Sequence, residues 1–278
     1  MLHNLEASHW ETLEFKGISL GDERLNNRSI KLLHALSENP QSSIPSAAGS
    51  WKDTIAAYRF FDNPKVSHDQ LLKSHIENTL KRAESFTKVL AIQDTTSLNY
   101  STLEYTEGLG DIGGTESQNN QGLMVHNTYL VSAEGVPLGL VAQKVWSREE
   151  SKCKTSQERI STPIKYKESY KWIESLHQVA EQTSECKFEL IHVMDREADI
   201  YEVFSEAKDL NNQFIIRARH NRRINKSSRG SNDGDMMLEK LSNQEPLATV
   251  KIEVPSRGSV DRMRLATVEL RALKFNVT

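Results

Sequence analysis

The chain has 278 residues, with 35 basic and 38 acidic side chains, a formal net charge of −3 and 37% hydrophobic residues. That length exceeds a minimal domain and predicts two or three domains. No apolar run approaches the ~18 residues of a membrane-spanning helix, and the opening MLHNLEASHWETLEF lacks the pattern of a secretory leader.

The first 85 residues read as helical. SLGDERLNNRSIKLLHALSENP offers Ser19 or Asp22 as a cap, repeats Leu25, Ile30, Leu32, Leu33 and Leu36 at near-helical spacing, and stops at Pro40. SWKDTIAAYRFFDNP reads as a shorter helix closed by Asn63-Pro64. SHDQLLKSHIENTLKRA begins on a Ser cap and puts Leu71, Leu72, Ile76 and Leu80 on one face.

The pattern then changes. Lys88–Gln93 reads as a short apolar strand ending at Asp94, followed by a long Gly/Ser/Thr/Asn-rich loop over 101–122. MVHNTYLVSAEGVPLGLVAQKVW reads as a hairpin turning at Ala133-Glu134-Gly135. A polar stretch over 147–165, an amphipathic helix in YKESYKWIESLHQVAEQT, the strand FELIHVMD, a helix in READIYEVFSEAKD and the strand QFIIRAR follow. Beyond Arg219, LATVKIEV and MRLATVELRALKF alternate as strands.

Three antiparallel strands followed by strands alternating with helices is the order of a ribonuclease-H-like α/β core. In that order the first strand lies parallel to the fourth, and Asp94 and Asp195 end neighbouring strands. Carboxylates so placed repel unless a cation neutralises them. Mg²⁺ or Mn²⁺ suits hard oxygen donors and can activate water against a phosphodiester. Each Asp also has a plainer reading. Asp94 can close a turn over Thr95-Thr96-Ser97, and Asp195 stands where a cap would stand for a helix from Ala198 to Phe204. Glu197 and Asp199 suit a helix N-terminus, Arg196 can pair with either or face a phosphate, and His126 reads as a core histidine before a ligand.

Charge is unevenly spread. From Phe214 onward 13 Lys/Arg face 7 Asp/Glu, against 22 and 31 before it. RARHNRRINKSSR (217–229) has six basic residues and no acid, which fits either a solvated face or phosphate binding. Cys153 and Cys186 lie outside any CxxC spacing and read as thiols of a reducing cytoplasm.

AIQDTTSLNY, VMDREADIYEVF and FIIRARHNR, with LGDERLNNRSIKLL and AAYRFFDNP nearer the start, together resemble the DDE transposases of the insertion-sequence-four type, Tn-five group. The likeness runs in order from about residue 10 to 275. It implies a helical DNA-binding domain over 1–85 that reads transposon ends. A ribonuclease-H-like catalytic core over 86–219 and a partial β-rich insertion over 220–278 would follow. It implies that Asp94 and Asp195 are the first two catalytic, metal-holding acids. Arg24, Arg28 and Arg59 match DNA-contacting positions of the helical domain, and Arg217 and Arg219 match basic residues near the active site. Arg222, in the same basic segment, joins them as a DNA-binding candidate. The family's third acid and its YREK-type motif have no match up to Thr278, nor do its pairing helices. Leu123-Met124 stand where two tryptophans precede the second-strand histidine. The resulting expectation is a C-terminally truncated chain that binds double-stranded DNA and cleaves poorly. Homodimerisation on DNA is implied for the full-length family only. The alternative is a non-catalytic binder of transposon ends, or an inhibitor of a full-length copy.

Overall fold

Local side-chain chemistry sets the helix starts. A computed structural model of the chain describes residues 10–103, 105–114, 120–149, 155–225, 227, 233–254 and 264–275. Cys153 falls outside them. α1 spans Trp10–Glu14, α2 Glu23–Glu38, α3 Ile44–Ala48, α4 Trp51–Phe61 and α5 His68–Ala83. Asp22 caps α2 by accepting the Arg24 N–H, and Ser50 caps α4 through the Asp53 N–H. Ser67 and Gln70 form a reciprocal capping box on α5. Ile18, Leu20, Leu32, Ala57 and Phe60 close a small core, with Leu71 packed against it.

α5 faces two ways. Leu71 joins the helical core, while Ile76, Leu72 and Leu80 pack against the sheet. A half-buried polar cluster around the buried Glu14 reinforces the junction. The Glu14 carboxylate lies 2.5 Å from His75 Nδ1 and accepts from Arg82 Nη1 at 2.7 Å. His75 Nε2 accepts the Leu140 N–H at 2.9 Å, which leaves the ring proton on Nδ1, toward Glu14. Arg82 Nε donates to the Leu138 carbonyl at 2.7 Å. Close approach there explains Gly139: its φ is +137° and an added Cβ would lie 2.2 Å from Thr79 Oγ1.

The sheet contains β1 (Lys88–Asn99), β2 (Gly110–Asp111), β3 (Gln121–Ser132), β4 (Pro137–Trp146), β5 (Glu189–Met194) and β6 (Gln213–Ile216). The path runs β2-β3-β1-β5-β6, with β4 also pairing β3. β1 is antiparallel to β3 and parallel to β5, and β5 is parallel to β6. α6 (Ser156–Ser161), a helix the polar 147–165 stretch did not announce, starts at a Thr155–Glu158 capping box. α7 spans Tyr170–Gln182 and α8 Tyr201–Asp209. α8 ends through Asn211 in the left-handed region, φ 54°, with the Asn212 N–H on the Ala207 carbonyl.

Two sequence expectations change here. β1 continues past Gln93 to Asn99 because β3 pairs with it throughout. Asp94 is therefore at a tip only with respect to β5, whose ladder with β1 stops at Ile92↔Val193. The expected helix from Ala198 is instead a 3-10 turn over Arg196–Ala198, followed by α8. Asp195 caps that turn.

α5, α7 and α8 lie on one face of the sheet. Val89, Ala91, Leu130, Val141 and Val179 are fully buried there, and Trp172, Leu176, Met194 and Val203 extend the core toward β6. Within this unit, among the described residues, no helix covers the other face. Ile92, Tyr129 and Ile215 are 37%, 38% and 58% exposed on it.

Contacts divide the chain into Met1–Arg217 and Ala218–Thr278. The second unit holds β7 (Arg223–Ile224) paired with β8 (Asp235–Met236), then α9 (Met237–Ser242) and the antiparallel β9 (Ala248–Val254) and β10 (Arg264–Leu270). Arg271 Nη1 donates to the Ser242 carbonyl at 2.8 Å, tying the end of β10 to α9. No described helix is long and apolar enough to cross a membrane.

Candidate nucleic-acid interface and acidic row

Packing α2 against α4 produces a basic groove. Arg24 and Arg28 are one turn apart on α2, and Lys52 and Arg59 two turns apart on α4. These four and Lys65 line a groove of about 800 Å³ with Asp22, Leu25, Ile55, Ala56, Phe60, Asn63 and Pro64. The structure thus brings Arg24, Arg28 and Arg59 together and adds Lys52 and Lys65, which sequence reading missed. Helix-face counting back from Arg59 reaches Lys52; Lys65 follows the helix and had no such signal. Arg28 Nη1 lies 3.1 Å from Asp53 Oδ1. Hydrogen bonds from Ser50 and then Arg28 hold the Asp53 carboxyl below its ordinary range. Among the described residues, Arg24, Lys52, Arg59 and Lys65 have no such ion pair. The groove therefore presents cations to an anionic ligand.

The second feature is a row across the sheet. Asp94 pairs with Asn127 on β3. Continuing the β1–β5 register beyond Ile92↔Val193 sets Asp94 opposite Asp195. Continuing β5–β6 beyond Met194↔Ile216 sets Asp195 opposite Arg217, whose N–H donates to the Met194 carbonyl at 3.2 Å. Residues opposite one another share a face. The order across the sheet is therefore Asn127, Asp94, Asp195, Arg217. Both carboxylates are exposed. Asp94 Oδ1 accepts the Thr95 N–H at 2.8 Å, and Asp195 Oδ1 accepts the Glu197 N–H at 2.7 Å. Asp195 thus does cap, as the plainer reading had it, and it stands in the row as well.

Two exposed carboxylates fit a hard divalent cation in kind. Among the described residues the row's other oxygen donor is the Asn127 amide, and Gln143 Nε2 already donates to it at 2.6 Å. Water or phosphate would have to supply the remaining ligands. Arg219 and Arg222 belong to the second unit, where the Arg222 carbonyl accepts the Met237 N–H at 2.8 Å. Glu197 accepts from the buried Lys171 at 3.3 Å, and Asp199 is itself buried. Among the described residues Arg196 is exposed without an ion pair. Met124 is buried, 7% exposed. The Cys186 thiol is pushed up by burial and by Glu84 and Glu185.

Behind the row, side chains pointing the other way form a buried polar network. Gln93, His126 and His192 are at most 2% exposed. Thr95 Oγ1 lies 2.8 Å from His126 Nδ1, His126 Nε2 3.4 Å from Gln93 Oε1, and Gln93 Nε2 3.1 Å from His192 Nδ1. Trp172 meets the His126 ring edge-on, centroids 4.6 Å apart. Burial, then Lys171 and Lys144, bring His126 down to about 4; burial brings His192 to about 4. Both imidazoles are neutral near pH 7. His126 is the core histidine the sequence suggested; Gln93 and His192 were not singled out.

The helical segment and the sheet define a mixed α/β protein with an N-terminal basic groove. Residues 7–66 match the family model of a transposase DNA-binding domain. Every groove-lining residue falls inside that match. Among solved structures, similar chains include the Mos1 transposase paired-end complex with the left transposon end, at 11% identity and a TM-score of 0.26. The Mos1 strand transfer complex is similar at 11% identity and a TM-score of 0.27. Each alignment covers 72% of this chain, and the chain spans 60% and 59% of the length of those two.

Proposed function

We propose that this chain is a transposase of the DDE type, of the insertion-sequence-four kind, that binds duplex DNA at transposon ends through the α2–α4 groove. The observation that carries the reading is the coincidence of the five-cation groove with the segment matching transposase DNA-binding domains. Arginines and lysines on phosphates fix register on the duplex, and the arginines can also read base edges. The β4-β3-β1-β5-β6 order supports a ribonuclease-H-like core, with the acidic row as its reaction centre. Asp94 and Asp195 would hold Mg²⁺ or Mn²⁺, which when bound supplies an activated water and charge stabilisation for phosphodiester cleavage. Arg217, in the same row, would bind the phosphate of the cleaved strand. The working compartment on this reading is the cytoplasm.

One observation favours a second reading. Among the described residues the row contains two carboxylates, and a two-metal displacement needs more ligands than two carboxylates provide. On that reading the chain occupies transposon ends without cutting them.

Selection from a random duplex pool tests the binding claim. The parental chain should enrich one sequence, and Arg24→Ala/Arg59→Ala should lose it. No enrichment by the parental chain would overturn end recognition. Nicking of the enriched duplex with Mg²⁺ separates the two readings: turnover abolished by Asp94→Asn establishes an enzyme, and absence of turnover establishes the binder.

A further inference from the structure

We infer that Gln93, with His126 and His192, is a positioning device for the acid pair, clamping the strand ends that carry Asp94 and Asp195. The inference rests on reading that pair as a cation site. Backbone pairing between β1 and β5 stops at Ile92↔Val193, before either acid. No ladder therefore holds Asp94 against Asp195. At that end a side-chain hydrogen bond supplements the backbone: Gln93 Nε2, one residue past the last β1 partner, donates at 3.1 Å to Nδ1 of His192, which pairs with Ala91 inside the ladder. Gln93 immediately precedes Asp94, and by strand alternation points to the opposite face. It also reaches β3 through His126, which contacts Thr95 on the other side of Asp94. Asp94 is thus flanked in sequence by two residues anchored in one network.

The network has a direction. Thr95 donates its hydroxyl proton to His126 Nδ1, and His126 Nε2–H donates to Gln93 Oε1. The Gln93 amide then donates to His192 Nδ1, which leaves the His192 proton on Nε2. Among the described residues that nitrogen is buried without a hydrogen-bond partner. The arrangement is an expensive way to fill a core, since apolar residues of the same size would bury more favourably. What the polar residues provide is geometry: directional contacts brace the last pairs of the backbone ladder, from which both acids project.

Mn²⁺ uptake by the full chain, followed by electron paramagnetic resonance, tests this without relying on activity. Gln93→Met/His192→Leu removes both ends of the tie and should weaken Mn²⁺ binding about tenfold while far-UV circular dichroism is kept. Thr95→Val, a milder change at the far end of the chain of bonds, should weaken it two- to threefold and serves alone if the double variant does not fold. Unchanged Mn²⁺ affinity in the folded variants overturns the positioning role and leaves the acid pair standing. Mn²⁺ affinity unaffected by Asp94→Asn and Asp195→Asn, or no uptake by the parental chain, overturns the cation site itself.

Discussion

Arg59→Ala isolates the electrostatic part of the groove. Arg59 is exposed on α4 while Ala57 and Phe60 make the core contacts, so the change leaves packing intact. Each phosphate neutralised by Lys or Arg contributes about −0.9 to the slope of log K against log salt. Five cations line the groove. Full engagement gives a slope near −4.5, and a loss of ~500-fold between roughly 50 and 200 mM salt. Arg28 is already paired with Asp53. If that pair persists on DNA, the slope is about −3.6 and the loss ~150-fold. Removing Arg59 makes either slope shallower by about 0.9, which shrinks the loss across that salt range ~3.5-fold. Fluorescence anisotropy of a labelled duplex, titrated with the full chain at four salt concentrations, reads this directly. An Arg59→Ala chain with the parental slope would refute the phosphate-binding role.

Asp53→Asn keeps an oxygen for the Ser50 hydroxyl and releases Arg28. It should steepen the slope by about 0.9 and tighten binding several-fold at low salt, in the same assay. At the α1–α5 junction, burial raises the Glu14 carboxyl, but hydrogen bonds from His75 and Arg82 outweigh it and hold the group at about 2 against an ordinary 4.5. Its contribution to stability is complete above about pH 4.5 and is lost as the pH falls toward 2; melting curves across that range should show the loss, and Glu14→Gln should flatten it. Gly139→Ala forces a Cβ against Thr79 at a positive φ and should destabilise by about 1–3 kcal/mol in urea titration. Leu176→Ala, at a fully buried site, should lose about 2–5 kcal/mol by the same measurement.

Elements specified by near neighbours were legible in the chain. Asp22 and Ser67 announced their helices because a cap bonds within three residues; Ser50 carried the same local signal for α4 and was passed over. Lys88–Gln93 was read as the whole strand because its apolar run ends there. The polar continuation to Asn99 exists only because β3 pairs with it, and a partner distant in sequence leaves no local mark. The same reason hid Gln93 and His192, which are 99 residues apart. Arg24, Arg28 and Arg59 were reached through resemblance; Lys52 shares the helix face of Arg59 and was overlooked, whereas Lys65, beyond the end of α4, joins the groove only through the tertiary packing. Asp94 and Asp195 were matched by strand order, and the register then placed Arg217 beside them.

The acid row is, finally, a question of parity. Because a strand alternates its faces residue by residue, moving β5 by a single position against β1 would set Met194 opposite Asp94 and turn Asp195 toward the helices. Moving it by two would keep the faces and displace the acid along the strand. Insertions or deletions in the loops on either side of β5 leave this arithmetic untouched, whereas one odd change inside the strand erases the pair while preserving every residue that forms it. Sequence drift in this region should therefore be free in the connections and quantised in the strands.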